Sequence, residues 1–268
     1  SHSEELHTII NNHLNVTKIY GIDYPEVEDT TASPYGIVKP EMTADLIANI
    51  NSGVALLNYI GHGSSTQLAN EKFLLLERDL PLIHDPAYSI WILGTSSAGQ
   101  YDDPETECFA EALISKTDGP IAVISTTRSV YEGPNWMLIK TFYEAMFPNE
   151  DIAEIPLGII LMSIKTGSIT GKVFHLFGDP AMPLIFPNYE LLINSTMTSD
   201  TLEIFEPATI SLIPEYQTSD AFLLVRGPDK NITTEYTYVT FNGEEVTAYL
   251  SYVLTGDILL EEAFSNYL

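Results

Sequence analysis

The stretch Val54-Ala-Leu-Leu-Asn-Tyr-Ile-Gly-His-Gly63 decides how this chain folds. Its first part is a nearly continuous apolar run, which is typical of a strand covered on both faces of its sheet. Two similar runs follow, YSIWIL at 88–93 and IAVIS at 121–125. Because helical segments separate such runs, the sequence predicts parallel βαβ units in an α/β three-layer sandwich with a mostly parallel sheet.

Apolar periodicity and β-rich runs predict the remaining elements. Helices are expected over 4–14, 41–51, 106–116, 135–147 and 156–166, and further strands over 16–20, 174–177 and 182–186. After Pro187 the sequence becomes rich in Thr, Ser, Tyr and Val, with short alternating runs at 202–205, 221–226, 236–241 and 246–254. We therefore predict two domains, an α/β domain over 1–187 and a small immunoglobulin-like β-sandwich over 188–268.

The charge balance excludes several classes of partner. The chain has 37 Asp and Glu against 11 Lys and Arg, a formal net charge of −26. Nucleic acid and anionic membrane surfaces would both be repelled by this excess of negative charge. No apolar run approaches the roughly 20 residues that cross a bilayer, so no membrane insertion is expected. The single cysteine, Cys108, excludes an internal disulfide.

Two strand ends carry the candidate chemistry, because ligands of open α/β sheets bind beyond the carboxyl ends of the strands. The first apolar strand runs into Gly61-His62-Gly63, and the second runs into Gly94-Thr-Ser-Ser-Ala-Gly99. His62 would act as a base, the Gly63 N–H would face a developing oxyanion, and Ser96 or Ser97 would offer a nucleophilic hydroxyl. The alternative is that both segments are only tight turns, in which His62 caps its strand and the small polar residues after the second strand have no catalytic role. Cys108 is interpreted as a small buried residue of a helix rather than as a nucleophile.

Six ordered stretches resemble a known family. They are LLNYIGHGS (56–64), ANEKFLLL (69–76), GTSSAGQYDDP (94–104), CFAEALI (108–114), AVISTTRSVY (122–131) and HLFGDPAMPL (175–184). Together they resemble the gingipain-type cysteine peptidase family of the caspase-like clan, over residues 4–187. Within it, they are most similar to the branch that serves as the sortase of the type-nine secretion system.

The resemblance implies a caspase-like fold and a Cys-His dyad. His62 matches the catalytic histidine, and Gly63 matches an oxyanion-hole donor. The family pattern Cys-x-x-Gly-x-Phe/Tyr-Asp falls on residues 96–102, so Ser96 occupies the place of the nucleophilic cysteine, with Ser97 as the second choice. Serine should abolish activity while preserving the fold. An engineered Cys→Ser change and a natural pseudo-peptidase both explain it, and the intact motifs favour engineering.

Further expectations concern substrates, ions and location. The resemblance implies that Arg128, Tyr131 and Glu132 shape a pocket for a peptide or protein substrate, with Arg128 receiving a carboxylate. The alternative is that Arg128 and Tyr131 only stabilise their loop. The resemblance also implies that an upstream part of the peptidase precedes Ser1. Glu132 stands where gingipains carry a pocket tryptophan, so their preference for arginine is not carried over. No cofactor is expected, although Asp102 and Asp103 are candidate calcium ligands.

The resemblance also implies a secreted or bacterial cell-surface protein. Two rival functions remain open at this point. One is a peptide-binding module that does not cut its ligand, and the other is a serine hydrolase that uses Ser96 and His62.

Overall fold

The computed structural model describes residues 2–10, 13–29, 36–148, 155–165, 167–184, 191–195, 210–214, 220–239, 243–254 and 258–265. The α-helices are α1 (His2–Ile10), α2 (Pro40–Asn51), α3 (Leu76–Asp79), α4 (Phe109–Ser115), α5 (Glu132–Met146), α6 (Leu157–Ile164) and α7 (Ile169–Val173). The strands before residue 185 are β1 (Val27–Glu28), β2 (Ile37–Val38), β3 (Leu56–Ile60), β4 (Gln67–Leu68), β5 (Leu74–Leu75), β6 (Ile90–Gly94), β7 (Ala122–Thr126) and β8 (Phe174–Gly178). The later strands are β9 (Leu191–Ser195), β10 (Ile210–Pro214), β11 (Asp220–Arg226), β12 (Lys230–Val239), β13 (Glu245–Leu254) and β14 (Ile258–Ser265).

A four-stranded sheet in the order β3-β6-β7-β8 forms the centre of the α/β unit. Strands β3, β6 and β7 run parallel, and β8 is antiparallel to β7. The pairing of Ile60 with Gly94 and of Leu93 with Ser125 places the carboxyl ends of the three parallel strands at one edge. The predicted α/β architecture with a mostly parallel sheet is therefore confirmed.

Helices pack on both faces of this sheet. On one face, Trp91, Leu93 and Val123 form a buried cluster with residues of α2 and α4, including Ile50 and Phe109. On the other face, α5 packs against β6, while α6 and α7 pack against β8. Because alternate strand residues point to opposite faces, apolar residues on both sides of β6 and β7 become buried.

Three predicted elements differ in the structure. Residues 16–20 are not part of a strand, and the side chains of Lys18 and Tyr20 bind Glu4 of α1. Helix α4 begins at Phe109 rather than at 106, because the extended Cys108 is its N-cap and donates its N–H to Glu111 at 3.1 Å. The predicted strand at 182–186 is also wrong for its described residues, which contain only an isolated bridge between Pro183 and Pro156.

The described residues after 184 lie mostly in β-strands, as predicted. Strands β9 and β10 pair antiparallel, β11 pairs antiparallel with β14, and β12 pairs with β13. Residues 231–252 cluster with the α/β unit, and 185–230 with 253–268 form a second compact unit. The run at 202–205 lies outside the described residues. The boundary at 187 and the immunoglobulin-like sandwich stay predictions.

Among the described helices, none has the length and apolarity needed to cross a bilayer.

A buried carboxylate organises the start of β6. Asp85 is fully buried, and it accepts hydrogen bonds from the Ser89 N–H at 2.9 Å, from the Ser89 hydroxyl and from the Ala87 N–H at 3.2 Å. Ser89 Oγ in turn accepts the indole N–H of Trp91 at 2.8 Å. The network therefore connects the loop before β6 to the main aromatic residue of the core.

We expect Asp85→Ala to lower the free energy of unfolding by about 3 kcal/mol, because it leaves buried donors unpaired. Asp179 is the matched control, since its carboxylate accepts the Ala181 N–H at 2.9 Å in a similar turn that is exposed. Asp179→Ala should cost less than about 1 kcal/mol. Urea denaturation followed by tryptophan fluorescence measures both values, and equal losses would contradict the structural role of Asp85.

Candidate active site

The loop after β3 holds His62 through its backbone. The His62 carbonyl accepts the Ala69 N–H at 2.8 Å and the Tyr59 hydroxyl at 2.6 Å. The Tyr59 ring lies so close to Gly61 that a Cβ there would come within 2.6 Å of the Tyr59 Oη. By contrast, the exposed imidazole makes no hydrogen bond or ion pair to any described residue. The main chain is fixed while the ring remains available for proton transfer.

Gly63 and Thr95 bring the ends of β3 and β6 into contact. A Cβ on Gly63 would overlap Thr95 Oγ1 and lie 3.0 Å from the Gln67 carbonyl oxygen, so glycine is required here for close approach. Thr95 is buried and directly precedes Ser96. The structure thus places the His62 loop and the Ser96 turn side by side at the carboxyl edge of the sheet.

The turn after β6 is held by the end of β7. Ser96 Oγ accepts the Val130 N–H at 3.2 Å. Ser97 adopts a left-handed backbone with φ of 59°, and its N–H donates to Thr126 Oγ1 at 3.0 Å and to the Arg128 carbonyl at 3.3 Å. Such a conformation is uncommon for a residue other than glycine and requires support from its surroundings. The end of β7 supplies that support.

Two backbone donors at this edge have no acceptor among the residues that the structure describes. Within the described ranges, neither the N–H of Gly63 nor that of Ser96 donates a hydrogen bond, whereas the N–H of Ser97 is already engaged. Unpaired backbone N–H groups beside a base are what an oxyanion hole requires. From the sequence, the N–H groups near Gly63 and residue 96 are both predicted to hold the oxyanion, and that role stays a prediction.

The candidate pocket residues occupy the loop after β7, but Arg128 is not free. Its guanidinium donates to both carboxylate oxygens of Asp102, at 2.9 and 2.5 Å, and this hydrogen-bonded partner lowers the pKa of Asp102. Tyr131 is 84% exposed, and its side chain makes no described contact that would fix it. Glu132 begins α5, is also exposed, and lies 3.9 Å from the imidazole of His2.

The remaining candidates from the sequence are buried or have partners within the protein. Cys108 is buried, and this burial raises the pKa of its thiol to about 11, so it does not provide a reactive thiolate. Asp102 is paired with Arg128, and Asp103 accepts the Glu105 N–H at 3.0 Å. Over the described residues, no group of three His, Cys, Asp or Glu side chains that could hold a metal ion is found, and calcium binding by Asp102 and Asp103 stays a prediction.

Thr126 and Val130 were not predicted as site residues, although both contact the turn that carries Ser96. The only signal in the sequence was the polar Ser-Thr-Thr stretch at 125–127, where a buried strand ends. Buried hydroxyls at a strand end need partners, and a neighbouring turn can supply them. Which turn lies there depends on the order of strands in the sheet.

Comparison with known proteins identifies a family that this sequence matches and structures that share its fold. The model of peptidase family C25 matches residues 1–185. The crystal structure of the Arg-specific cysteine proteinase gingipain R (RgpB) is similar with a TM-score of 0.54 and 18% identity, covering 96% of this chain and 55% of that chain. The complex of Porphyromonas gingivalis RgpB pro- and mature domains gives 0.53 and 16%, covering 96% and 56% respectively. No curated protein matches the sequence significantly.

The two kinds of comparison support different conclusions. At these identities the gingipain structures support the fold alone, and the chain spans little more than half of their length. The family model covers well over half of this chain, including the residues around His62 and Ser96. It confirms the resemblance to the gingipain-type family, while the similarity to the sortase branch stays a prediction. The chain therefore belongs to peptidase family C25, the gingipain family of cysteine peptidases.

Proposed function

We propose that this chain carries a peptidase site in which His62 and residue 96 form the catalytic dyad. The observation that carries the proposal is the pair of unused N–H groups, on Gly63 and Ser96, beside the exposed imidazole of His62. With cysteine at position 96, the thiolate attacks a peptide carbonyl. The two N–H groups bind the oxyanion, and His62 protonates the leaving amine. Water or an acceptor amine then releases the acyl group, by hydrolysis or by a sortase-like transfer.

Serine at position 96 makes the present chain inactive in this proposal. A cysteine thiol with a pKa near 8.5 gives some thiolate at neutral pH, whereas a serine hydroxyl needs a closely aligned base. Ser96 Oγ is bound to the Val130 N–H, and among the described contacts it has no hydrogen bond to His62. Replacement of the cysteine by serine at position 96 would leave the peptide-binding surface in place. This holds whether the replacement was engineered or arose naturally.

Ser96→Cys should produce both thiol-dependent cleavage of a peptide library and labelling by iodoacetamide. Ser97→Cys is the matched control, because it adds the same thiol one residue along the turn and tests the second-choice assignment. Mass spectrometry measures both products. Cleavage by the Ser97→Cys variant and not by the Ser96→Cys variant would assign the nucleophile to position 97 instead of position 96. Failure of both variants would contradict the peptidase proposal.

In the Ser96→Cys background, His62→Ala should reduce kcat by about 10²-fold or more, because proton transfer to the leaving amine is lost. The thiol introduced at position 96 should still be alkylated by iodoacetamide at high pH, where the thiolate forms without a base. The kcat of peptide hydrolysis and the alkylation rate against pH measure the two effects. An unchanged kcat would remove His62 from the mechanism.

Gly63→Ala in the same background tests the oxyanion hole, since its methyl group overlaps Thr95 Oγ1. We expect kcat to fall about 10²-fold, in the range found when one oxyanion donor is lost. Gly133→Ala is the control, because no atom lies within 4 Å of a Cβ at that exposed position. Equal activity of the two variants would contradict the role of Gly63.

The wider biological setting is part of the proposal. The substrate is a peptide or protein whose side chains contact Tyr131 and Glu132. Arg128 helps to shape this pocket while its guanidinium remains paired with Asp102. Because a gingipain structure is described as a complex of pro- and mature domains, an upstream segment of the same protein is the proposed intramolecular partner. The protein would be secreted or displayed on a bacterial surface, with an immunoglobulin-like domain after the peptidase domain.

A non-catalytic peptide-binding role is the second candidate, and Ser96 is the observation that favours it. It predicts peptide affinity in the present chain and no cleavage after Ser96→Cys. A fluorophosphonate probe tests the serine-hydrolase hypothesis, because only an activated Ser96 would react with it. These outcomes separate the three functions without further assumptions.

A further inference from the structure

Thr126 lies at the end of β7 and contacts the chain on both sides of residue 96. It is fully buried. Its hydroxyl donates to the Thr95 carbonyl at 2.5 Å and accepts the Ser97 N–H at 3.0 Å. One hydroxyl can make both bonds at once, since it has one donor hydrogen and two acceptor lone pairs. A single side chain therefore binds the peptide groups before and after residue 96.

The bond to Thr95 has a direct consequence for the Ser96 N–H. The two groups belong to the same peptide unit, which is planar and trans, so the N–H points opposite to the carbonyl. Fixing the Thr95 carbonyl against Thr126 therefore aims the Ser96 N–H away from β7. That N–H has no acceptor among the described residues, which leaves it available to a ligand.

The bond to Ser97 stabilises the turn that follows. Ser97 has a φ of 59°, and its N–H is held by Thr126 Oγ1 and by the Arg128 carbonyl. The Thr126 carbonyl also accepts the Gly99 N–H at 2.9 Å. Without the hydroxyl, the Thr95 carbonyl would lose this partner, and the left-handed turn would lose one of its supports.

We propose that Thr126 is a positioning residue that orients the residue 96 N–H and side chain for catalysis. This inference rests on the proposed peptidase function, which assigns the nucleophile to position 96. Thr126 touches neither the substrate nor the reacting atoms. It acts through the two peptide units that flank residue 96.

Thr126→Val in the Ser96→Cys background tests the hydroxyl with little change of shape. We expect kcat to fall by about tenfold to a hundredfold, because an oxyanion donor loses its orientation, while KM changes by less than about threefold. Thr126→Ser keeps the hydroxyl and should retain kcat within about threefold. Peptide hydrolysis kinetics measure all three variants.

Thr127→Val is the matched control. Thr127 is the next residue and is also buried, but its hydroxyl donates to the Val173 carbonyl at 3.3 Å, away from the turn. The Thr127→Val variant should therefore leave kcat unchanged. A fall in kcat for Thr126→Ser as large as for Thr126→Val would overturn the proposal, since the loss would then come from packing. An equal kcat for Thr126→Val and Thr127→Val would overturn it as well.

The rate at which iodoacetamide alkylates the thiol of the Ser96→Cys variant, measured against pH, separates this inference from the proposed function. If Ser96→Cys is alkylated without cleaving peptides, the peptidase proposal fails. The inference about Thr126 is then decided by whether Thr126→Val slows alkylation at pH 7 at least about threefold relative to Thr127→Val. A Ser96→Cys variant that is neither alkylated nor active would overturn both proposals, because position 96 would not hold a reachable nucleophile.

Discussion

The hydrogen bonds between the turn after β6 and the end of β7 are the interaction on which the candidate site depends. A chain that leaves a buried strand carries backbone donors and acceptors that need partners. Here the Ser97 and Gly99 N–H groups find theirs on Thr126 and Arg128. The turn is thereby fixed by β7, while the N–H groups of Gly63 and Ser96 have no acceptor among the described residues at the open edge. The order of the strands therefore explains both why β7 supports the turn after β6 and why these two N–H groups lie at the open edge of the sheet.

In this arrangement, the contacts that hold the turn are largely independent of the side-chain atom at position 96. The turn is held mainly by backbone groups and by Thr126, and the side chain at position 96 adds one contact, to Val130. Oxygen or sulfur at that position can therefore occupy nearly the same framework. The chemical difference is large, because only the thiol ionises readily near neutral pH. A chain of a cysteine peptidase family can consequently carry serine there without a change in the surrounding structure.

Charge at the rim of the site illustrates how context changes the role of a residue. From the sequence, Arg128 was a candidate residue of the substrate pocket and Asp102 a candidate calcium ligand. In the structure these two candidates bind each other, so neither offers a free charge. Because the pair is exposed, its contribution to stability is small, and its effect is to connect the turn after β6 to the loop after β7. Tyr131 and Glu132 are exposed, and their contact with a substrate stays a proposal.

The sequence alone determined the α/β architecture, the family and the positions of the two strand ends, because apolar runs and glycine-flanked polar residues are local patterns along the chain. It did not indicate the contacts of Thr126 and Val130 with the turn after β6 or the pairing of Asp102 with Arg128, and it placed a strand at 16–20 where none forms. Those features depend on which segments become neighbours. Thr126 lies some thirty residues beyond Ser96 and meets the turn only because β7 pairs with β6. The tertiary structure decided them, since hydrogen bonds between distant segments follow from strand order, which no local pattern encodes.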